Sequence, residues 1–108
     1  MKTDTKKKQE VYTLLVEVGR IKGDGLPNKS TGAALMCYSS GCDEDEAVRE
    51  ATALLKKAGL APLSISGYGT AGERALEGHD ISEDEQNLMK QALDENSVIV
   101  SQTTAFYD

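Results

Sequence analysis

The sequence contains few of the residues from which catalytic and metal sites are usually built. Its 108 residues include no tryptophan, one histidine and two cysteines. Two cysteines are too few for the dense disulfide framework of a small secreted domain, so we expect reduced thiols. A zinc site needs three or four protein ligands, and beyond Cys37 and Cys42 the chain offers only His79 and no second cysteine pair. We therefore expect no metal and no cofactor.

The chain also lacks a long hydrophobic run. No apolar stretch approaches the ~20 residues that a membrane span needs. The segment "VYTLLVEV" that follows the N-terminal lysines is interrupted by Thr13 and Glu17, which is not typical of a signal peptide. We expect a cytoplasmic protein in which residues 1–9 form a disordered lysine-rich tail and residues 10–108 form a single domain.

Positive charge is scarce outside the N-terminal segment. The formal net charge is −6, and residues 30–108 contain five Lys and Arg against fourteen Asp and Glu. An acidic body is repelled by nucleic-acid phosphates and by anionic lipid. We therefore expect neither nucleic acid nor a membrane surface as a partner.

Two segments have the pattern of amphipathic helices. Asp43 is a predicted N-cap, an apolar stripe follows as far as Ala58, and Gly59 is placed to end the helix. Ser82 and Glu85 predict a second helix from about Ser82 to Glu95.

The four acids after Cys42 are explained by the first helix. Acidic residues in a first turn complement the positive end of the helix dipole, so no cation is needed to account for them. Their negative charge also opposes a thiolate at Cys42. We interpret Cys42 as a packing residue and Cys37 as a buried apolar residue, rather than as a redox pair.

Four segments predict β-strands, namely "VYTLLVEV", "AALMCY", "LAPLSIS" and "SVIVSQTTAFY". The order ββαβαβ predicts an α/β (α+β) two-layer sandwich, as a variant of the ferredoxin-like plait with both helices on one face. A short extra strand is possible near residues 73–76. Dense glycine marks residues 19–32 and 67–80 as loops.

The glycine-rich segment "GYGTAG" is the first candidate site. It matches G-x-G-x-x-G, but the following six residues are too short for the helix of a dinucleotide fingerprint. Two interpretations remain, a flexible connection or an anion-holding nest made by the amides of Gly67, Gly69 and Gly72, with Arg74 beside them. The segment "GDGLPNKST" fails as a phosphate-binding loop because it lacks the second glycine and precedes a strand.

His79 is the candidate catalytic base, although a histidine in a surface loop is the commoner case. The sequence identifies no other catalytic residue. The predicted ligand-binding set is therefore Gly67, Gly69, Gly72, Arg74 and His79.

Two functions are compatible with these features. The favoured one is a small acidic protein acting as a non-catalytic interaction or regulatory module through homodimerisation, with a protein partner. The alternative is a small-molecule binding protein, or a cofactor-free enzyme of the dimeric α+β barrel type, with a pocket on the open sheet face near Thr13 and Glu17. With both helices on one face, Val11, Thr13 and Leu15 would look outward, and a second copy would cover them.

Overall fold

The structure, a computed structural model, describes residues 8–107. Residues 1–7 of the predicted tail lie outside the described residues, whereas Gln9 is half-buried and its side-chain oxygen accepts a hydrogen bond from Ser40. The elements in chain order are β1 (Glu10–Val18), β2 (Gly32–Gly41), α1 (Glu44–Lys57), β3 (Pro62–Thr70), α2 (Ala71–Leu76), α3 (Glu83–Glu95) and β4 (Val98–Phe106).

The four strands form one antiparallel sheet in the order β3-β1-β2-β4. β1 and β2, joined as a hairpin, occupy the centre, and β3 and β4 are the edges. The α+β class is confirmed. The strand order differs from that of the ferredoxin-like plait predicted from the sequence.

The first helix forms as its sequence signals predict. The Asp43 side chain accepts a hydrogen bond from the Glu46 amide at 2.8 Å, and Gly59 adopts a φ of +88° just beyond the C-cap. Ala47, Ala51 and Leu55 are buried and pack on one face of the sheet. That cluster includes Tyr12, Leu14, Val16, Val18, Ala33, Leu35 and Cys37.

The second long helix, α3, packs on the opposite face of the sheet. Its buried residues Met89 and Ala92 cluster with Val11, whereas the neighbouring Tyr12 belongs to the α1 cluster. Because side chains alternate along a strand, residues 11 and 12 must face opposite sides. The predicted two-layer arrangement is therefore wrong, and Val11 and Thr13 are buried rather than facing outward.

The handedness rule applies to the crossover through α1 but does not constrain α3. β2 and β3 are both antiparallel to β1, so they are parallel to each other, and the rule applies to their crossover through α1. β3 and β4 run in opposite directions, so their connection carries no preferred hand. The apolar residues of the second face, including Tyr38 and Ile99, provide the surface on which α3 packs.

Residues 71–76 form a helix and not the extra strand predicted near 73–76. β3 also continues to Thr70, through residues assigned to a loop, because Gly67 and Gly69 pair with β1. Gly69 has a φ of +85° beside a register shift between Thr13 and Leu14, a conformation that glycine adopts readily at a bulge.

The loop between β1 and β2 is held by an ion pair. The Arg20 Nε donates to Asp24 Oδ2 at 2.8 Å, and the Arg20 Nη1 donates to the carbonyl oxygens of Pro27 and Ser30. Asp24 also accepts from the Ile21 and Leu26 amides at 3.0 Å each. The guanidinium, together with the amide hydrogen bonds, lowers the Asp24 pKa to about 2.

The Asp24→Asn substitution should loosen this loop. It removes the charge that Arg20 contacts, so the Ile21 and Leu26 amides should exchange their hydrogens faster, as measured by NMR. In the unmodified protein the pair stabilises the fold fully above the ordinary carboxyl pKa of 3.8, and this contribution is lost as pH falls through about 2. An Asp24 pKa near 3.8 in an NMR titration would contradict the ion pair.

Cys37 should be inert in the native protein. Its side chain is fully buried, and burial raises the thiol pKa to about 11, so almost no reactive thiolate exists near neutral pH. In a Cys42→Ser variant, dithionitrobenzoate should modify no thiol before unfolding and one thiol per chain afterwards. Rapid modification of the native variant would show that the strand opens or that Cys37 is accessible.

Candidate functional site

A buried arginine lies at the centre of the candidate site. Arg74 is 9% exposed. Among residues 8–107, Arg74 and Asp24 are the two charged residues that are buried. The Arg74 Nη1 donates to Thr13 Oγ1 at 3.2 Å and to Glu85 Oε1 at 3.1 Å. The Arg74 Nε donates to His79 Nδ1 at 3.2 Å. One side chain of α2 therefore joins β1, α3 and the loop after α2.

Tyr38 completes this network from β2. Its hydroxyl donates to Glu85 Oε1 at 2.6 Å, so the same carboxylate oxygen accepts from both Tyr38 and Arg74. These bonds, chiefly the one from Tyr38, hold the Glu85 pKa below its usual value. Burial, followed by the neighbouring carboxylate, raises the Tyr38 pKa. The network therefore contains a charged carboxylate and a neutral phenol at physiological pH.

The start of α2 is fixed by a capping box. The Thr70 hydroxyl accepts from the Glu73 amide at 3.2 Å, and the Glu73 carboxylate accepts from the Thr70 amide at 2.9 Å. This reciprocal pair turns the chain directly from β3 into α2. Arg74, the next residue, is thereby aimed at the second face of the sheet, over Thr13.

The end of α2 returns His79 to Arg74. The Gly78 amide donates to the Ala75 carbonyl at 3.1 Å, and the His79 amide donates to the Arg74 carbonyl at 2.9 Å. These are the two bonds of a Schellman motif, and Gly78 supplies its left-handed residue with a φ of +86°. The motif brings the His79 ring beside the Arg74 side chain. Tyr68 meets the same ring edge-on, with the centroids 6.4 Å apart.

The hydrogen bond from Arg74 determines which proton His79 carries. An arginine side chain can only donate, so Nδ1 must accept, and the proton of the neutral ring is on Nε2. In a catalytic base the arrangement is reversed, because a carboxylate accepts from Nδ1 and leaves Nε2 free to take a proton. Nε2 lies 3.9 Å from Glu77 Oε1, too far for a hydrogen bond. His79 is therefore arranged to donate through Nε2.

A groove of about 480 Å³ lies between α2 and α3 beside His79. Most of its lining is apolar, and the residues are Ala71, Gly72, Ala75, His79, Ile81, Gln86 and Met89. A second depression of about 360 Å³ shares Ala71, Gly72 and Met89 with it and continues towards Leu93, Lys90 and Lys8. Small residues on α2 leave this space open. The groove can hold an apolar group, with polar groups at its ends.

The predicted ligand-binding residues fall into two groups. Gly72 and His79 line the groove, and Arg74 lies behind His79. Gly67 instead faces α1, where a side chain would collide with the Glu44 carboxylate, and a Cβ at Gly69 would lie 2.8 Å from Glu73 Oε1. Two carboxylates therefore lie close to Gly67 and Gly69, where their negative charge would oppose a bound anion.

Sequence reasoning missed Tyr38 and Glu85 as members of the site, and it assigned Thr13 to a different pocket, on the open sheet face. Glu85 was assigned to a capping box, and the Ser82 hydroxyl does accept from its amide at 3.2 Å. Its carboxylate, however, turns inward to Tyr38 and Arg74. The capping box at Thr70 and the glycine at position 78 were signals in the sequence that would have placed Arg74 on a short helix and His79 just beyond its end.

Two further structural features concern residues 8–107 alone. In this part of the chain no helix combines the length and apolar character needed to cross a membrane. Nor do its His, Cys, Asp and Glu side chains form a group of three or more that is placed to bind a metal ion.

A known protein family matches most of the chain. The profile of a family described as "Domain of unknown function (DUF8846)" matches residues 11–107, so the chain belongs to this family. No curated protein and no solved structure matches the chain.

Glu85→Gln should destabilise the protein by about 2 kcal/mol, because it leaves the buried Arg74 without its charged partner. Tyr38→Phe removes one hydrogen bond and should cost about 1 kcal/mol. Because both changes act on one carboxylate, the double variant should lose less than the sum in urea unfolding. Additive losses would contradict the shared bond.

The same substitution gives a test of pH dependence. Since the folded state lowers the Glu85 pKa, its stabilising contribution is complete above the ordinary value of 4.5 and is lost as pH falls below it. Glu85→Gln should flatten the stability profile in this range. The matched control is Glu83→Gln, an exposed acid in the same helical turn, which should leave the profile unchanged.

Proposed function

We propose that this member of the DUF8846 family is a non-catalytic interaction module that acts as a homodimer in the cytoplasm. In this proposal the groove between α2 and α3 receives an apolar group of a protein partner. The observation that carries the proposal is the donation from Arg74 Nε to His79 Nδ1 at the edge of an apolar groove. Because Nδ1 accepts from Arg74, the histidine can donate a hydrogen bond through Nε2 to a bound group, as a binding residue does.

The shape of the groove supports binding of a side chain or a similar apolar group. Protein partners commonly anchor one large apolar residue in such a depression, with polar contacts around it. Here the apolar floor contains Ala75, Ile81 and Met89, and the imidazole at the rim can donate to a carbonyl oxygen of the partner. At the far end of the second depression Lys8 favours an acidic group, whereas Lys90 there already pairs with Asp94 at 2.9 Å.

The network behind the groove supports the same function. A buried ion pair contributes little net stability compared with apolar packing, whereas it fixes the positions of the groups that it joins. Arg74 fixes α2 relative to α3, and these are the two walls of the groove. The groove is therefore held open in one shape before a partner binds, which reduces the entropic cost of binding.

The second candidate function is small-molecule binding or cofactor-free catalysis of the dimeric α+β barrel type. The sequence predicts its pocket on the open sheet face, near Thr13 and Glu17. Thr13 is fully buried beneath Arg74, and Glu17 remains exposed. The specific observation that favours this function is the volume of the groove, which is within the range of small-molecule sites.

Gly72→Leu should fill the groove and abolish binding of an apolar probe. Anilinonaphthalene sulfonate fluoresces when it enters an apolar site, and its sulfonate suits the lysine end of the groove. A Cβ added at Gly72 meets one atom within 4 Å, Thr70 Oγ1 at 3.9 Å, so the fold should tolerate the larger side chain. We expect the fluorescence rise of the unmodified protein to fall at least severalfold in the variant.

Two variants serve as controls. Gly72→Ala should keep most of the probe signal and stabilise α2 by about 0.5–1 kcal/mol, because glycine is the less favourable residue in a helix. Leu76→Ser removes an apolar side chain that is 90% exposed and lies outside the groove lining. If Leu76→Ser abolished the signal and Gly72→Leu did not, the groove would not be the binding surface.

A further inference from the structure

β4 is an edge strand with an unusual composition. In the described sheet it pairs with β2 alone, so its outer side offers backbone N–H and C=O groups that have no partner strand. Its nine residues, Val98–Phe106, include no charged residue and no proline, in a chain of which 28% of the residues are charged. Natural edge strands usually carry lysine or proline, which prevents pairing with another chain.

The other edge, β3, carries features that discourage pairing. It begins at Pro62, and its register against β1 shifts twice. The carboxylates of Glu44 and Glu73 lie against Gly67 and Gly69 of this strand. Another strand approaching β3 would therefore meet negative charge and an irregular ladder. β4 has a single register shift, opposite Met36 and Cys37, and beyond it residues 102–106 continue regularly.

Several exposed side chains of β4, and that of Tyr107 directly after it, are apolar. Val100 and Phe106 are each 38% exposed, and Tyr107 is 60% exposed. α3 covers only the first part of the strand, around Ile99, so the later residues face solvent. This half of β4 combines unpaired backbone, apolar side chains and no charge.

We propose that residues 102–106 of β4 pair antiparallel with the same residues of a second copy, around a twofold axis at Thr104. The inference specifies the surface for the homodimerisation proposed above and rests on it. In this register Gln102 faces Phe106, Thr103 faces Ala105, and Thr104 faces its own copy. A Thr–Thr pair is favourable across neighbouring strands, and no two like charges oppose each other. The two sheets join into one of eight strands, with a closed twofold interface.

Charge favours a contact between copies at this edge over a contact through the start of α1 or α3. Each chain has a formal net charge of −6, and acids occupy the first turns of α1 and α3. A contact through either helix start would bring carboxylates of the two copies together. The uncharged edge of β4 avoids this repulsion while it satisfies the free backbone groups.

Thr104→Lys tests the interface, because it places two ammonium groups opposite each other on the axis. Light scattering at micromolar concentration should give twice the chain mass of 11.6 kDa for the unmodified protein and the single mass for the variant. Thr104 is exposed, so circular dichroism should show an unchanged fold. Ser66→Lys on β3 and Leu15→Lys on the sheet face are matched controls, and both should remain dimeric.

A cysteine in place of Thr104 tests the register. Facing residues of antiparallel strands have Cα atoms about 4.5–5.5 Å apart, within the range that a disulfide bridges. In a Cys42→Ser background, mild oxidation should link the chains of Thr104→Cys, whereas Ser66→Cys should stay unlinked. Failure of Thr104→Cys to link would overturn the proposed register.

The outcomes separate the two proposals. A dimer that persists in Thr104→Lys would overturn the β4 interface and leave homodimerisation standing. Loss of the dimer in Leu15→Lys alone would assign the interface to the sheet face. A single mass for the unmodified protein would overturn both proposals, and the β4 edge would then be available to a strand of another protein.

Discussion

The arrangement of the second face of the sheet depends on the burial of one guanidinium group. A charge in a protein interior is tolerated only when hydrogen-bond partners surround it, and Arg74 has three, on β1, on α3 and in the loop after α2. These partners belong to segments that are far apart in the sequence. Because one side chain, Arg74, contacts all of them, the position of α2 is coupled to that of α3. This coupling determines the width of the groove between the two helices.

The two faces of the sheet have different chemistry because the side chains of β1 are apolar on one face and partly polar on the other. Its even-numbered residues from Tyr12 to Val18 are all apolar, and they form a core with α1 that contains no charged side chain. Its odd-numbered residues include Thr13, which gives the second face a buried hydroxyl. Arg74 donates a hydrogen bond to this hydroxyl, and the polar network surrounds that contact. One side of the sheet thus provides most of the hydrophobic stabilisation, and the other holds the ion pair between Arg74 and Glu85.

Sequence reasoning succeeded where local interactions decide the structure. The caps at Asp43 and Ser82 gave the helix starts, and the apolar character of the segment around Cys37 gave a buried central strand. It failed where distant contacts decide. The face on which α3 packs is not set by any chirality rule, and pairing with β1 extended β3 through glycines that predict a loop. Glu85 escaped notice because its position already had a sufficient local explanation as part of a helix cap.

The strand order has a consequence for how the chain folds. The central pair, β1 and β2, is a hairpin of neighbouring segments, so it can form early with little loss of loop entropy. Each later strand then adds to an outer side, and no strand has to insert between two that are already paired. β2, however, contains the most buried residues of the sheet, and one of its sides stays open until β4 is made, after all three helices. Until then the unpaired backbone N–H and C=O groups on that side can pair with another unfinished chain, so aggregation during synthesis is the particular hazard of this topology.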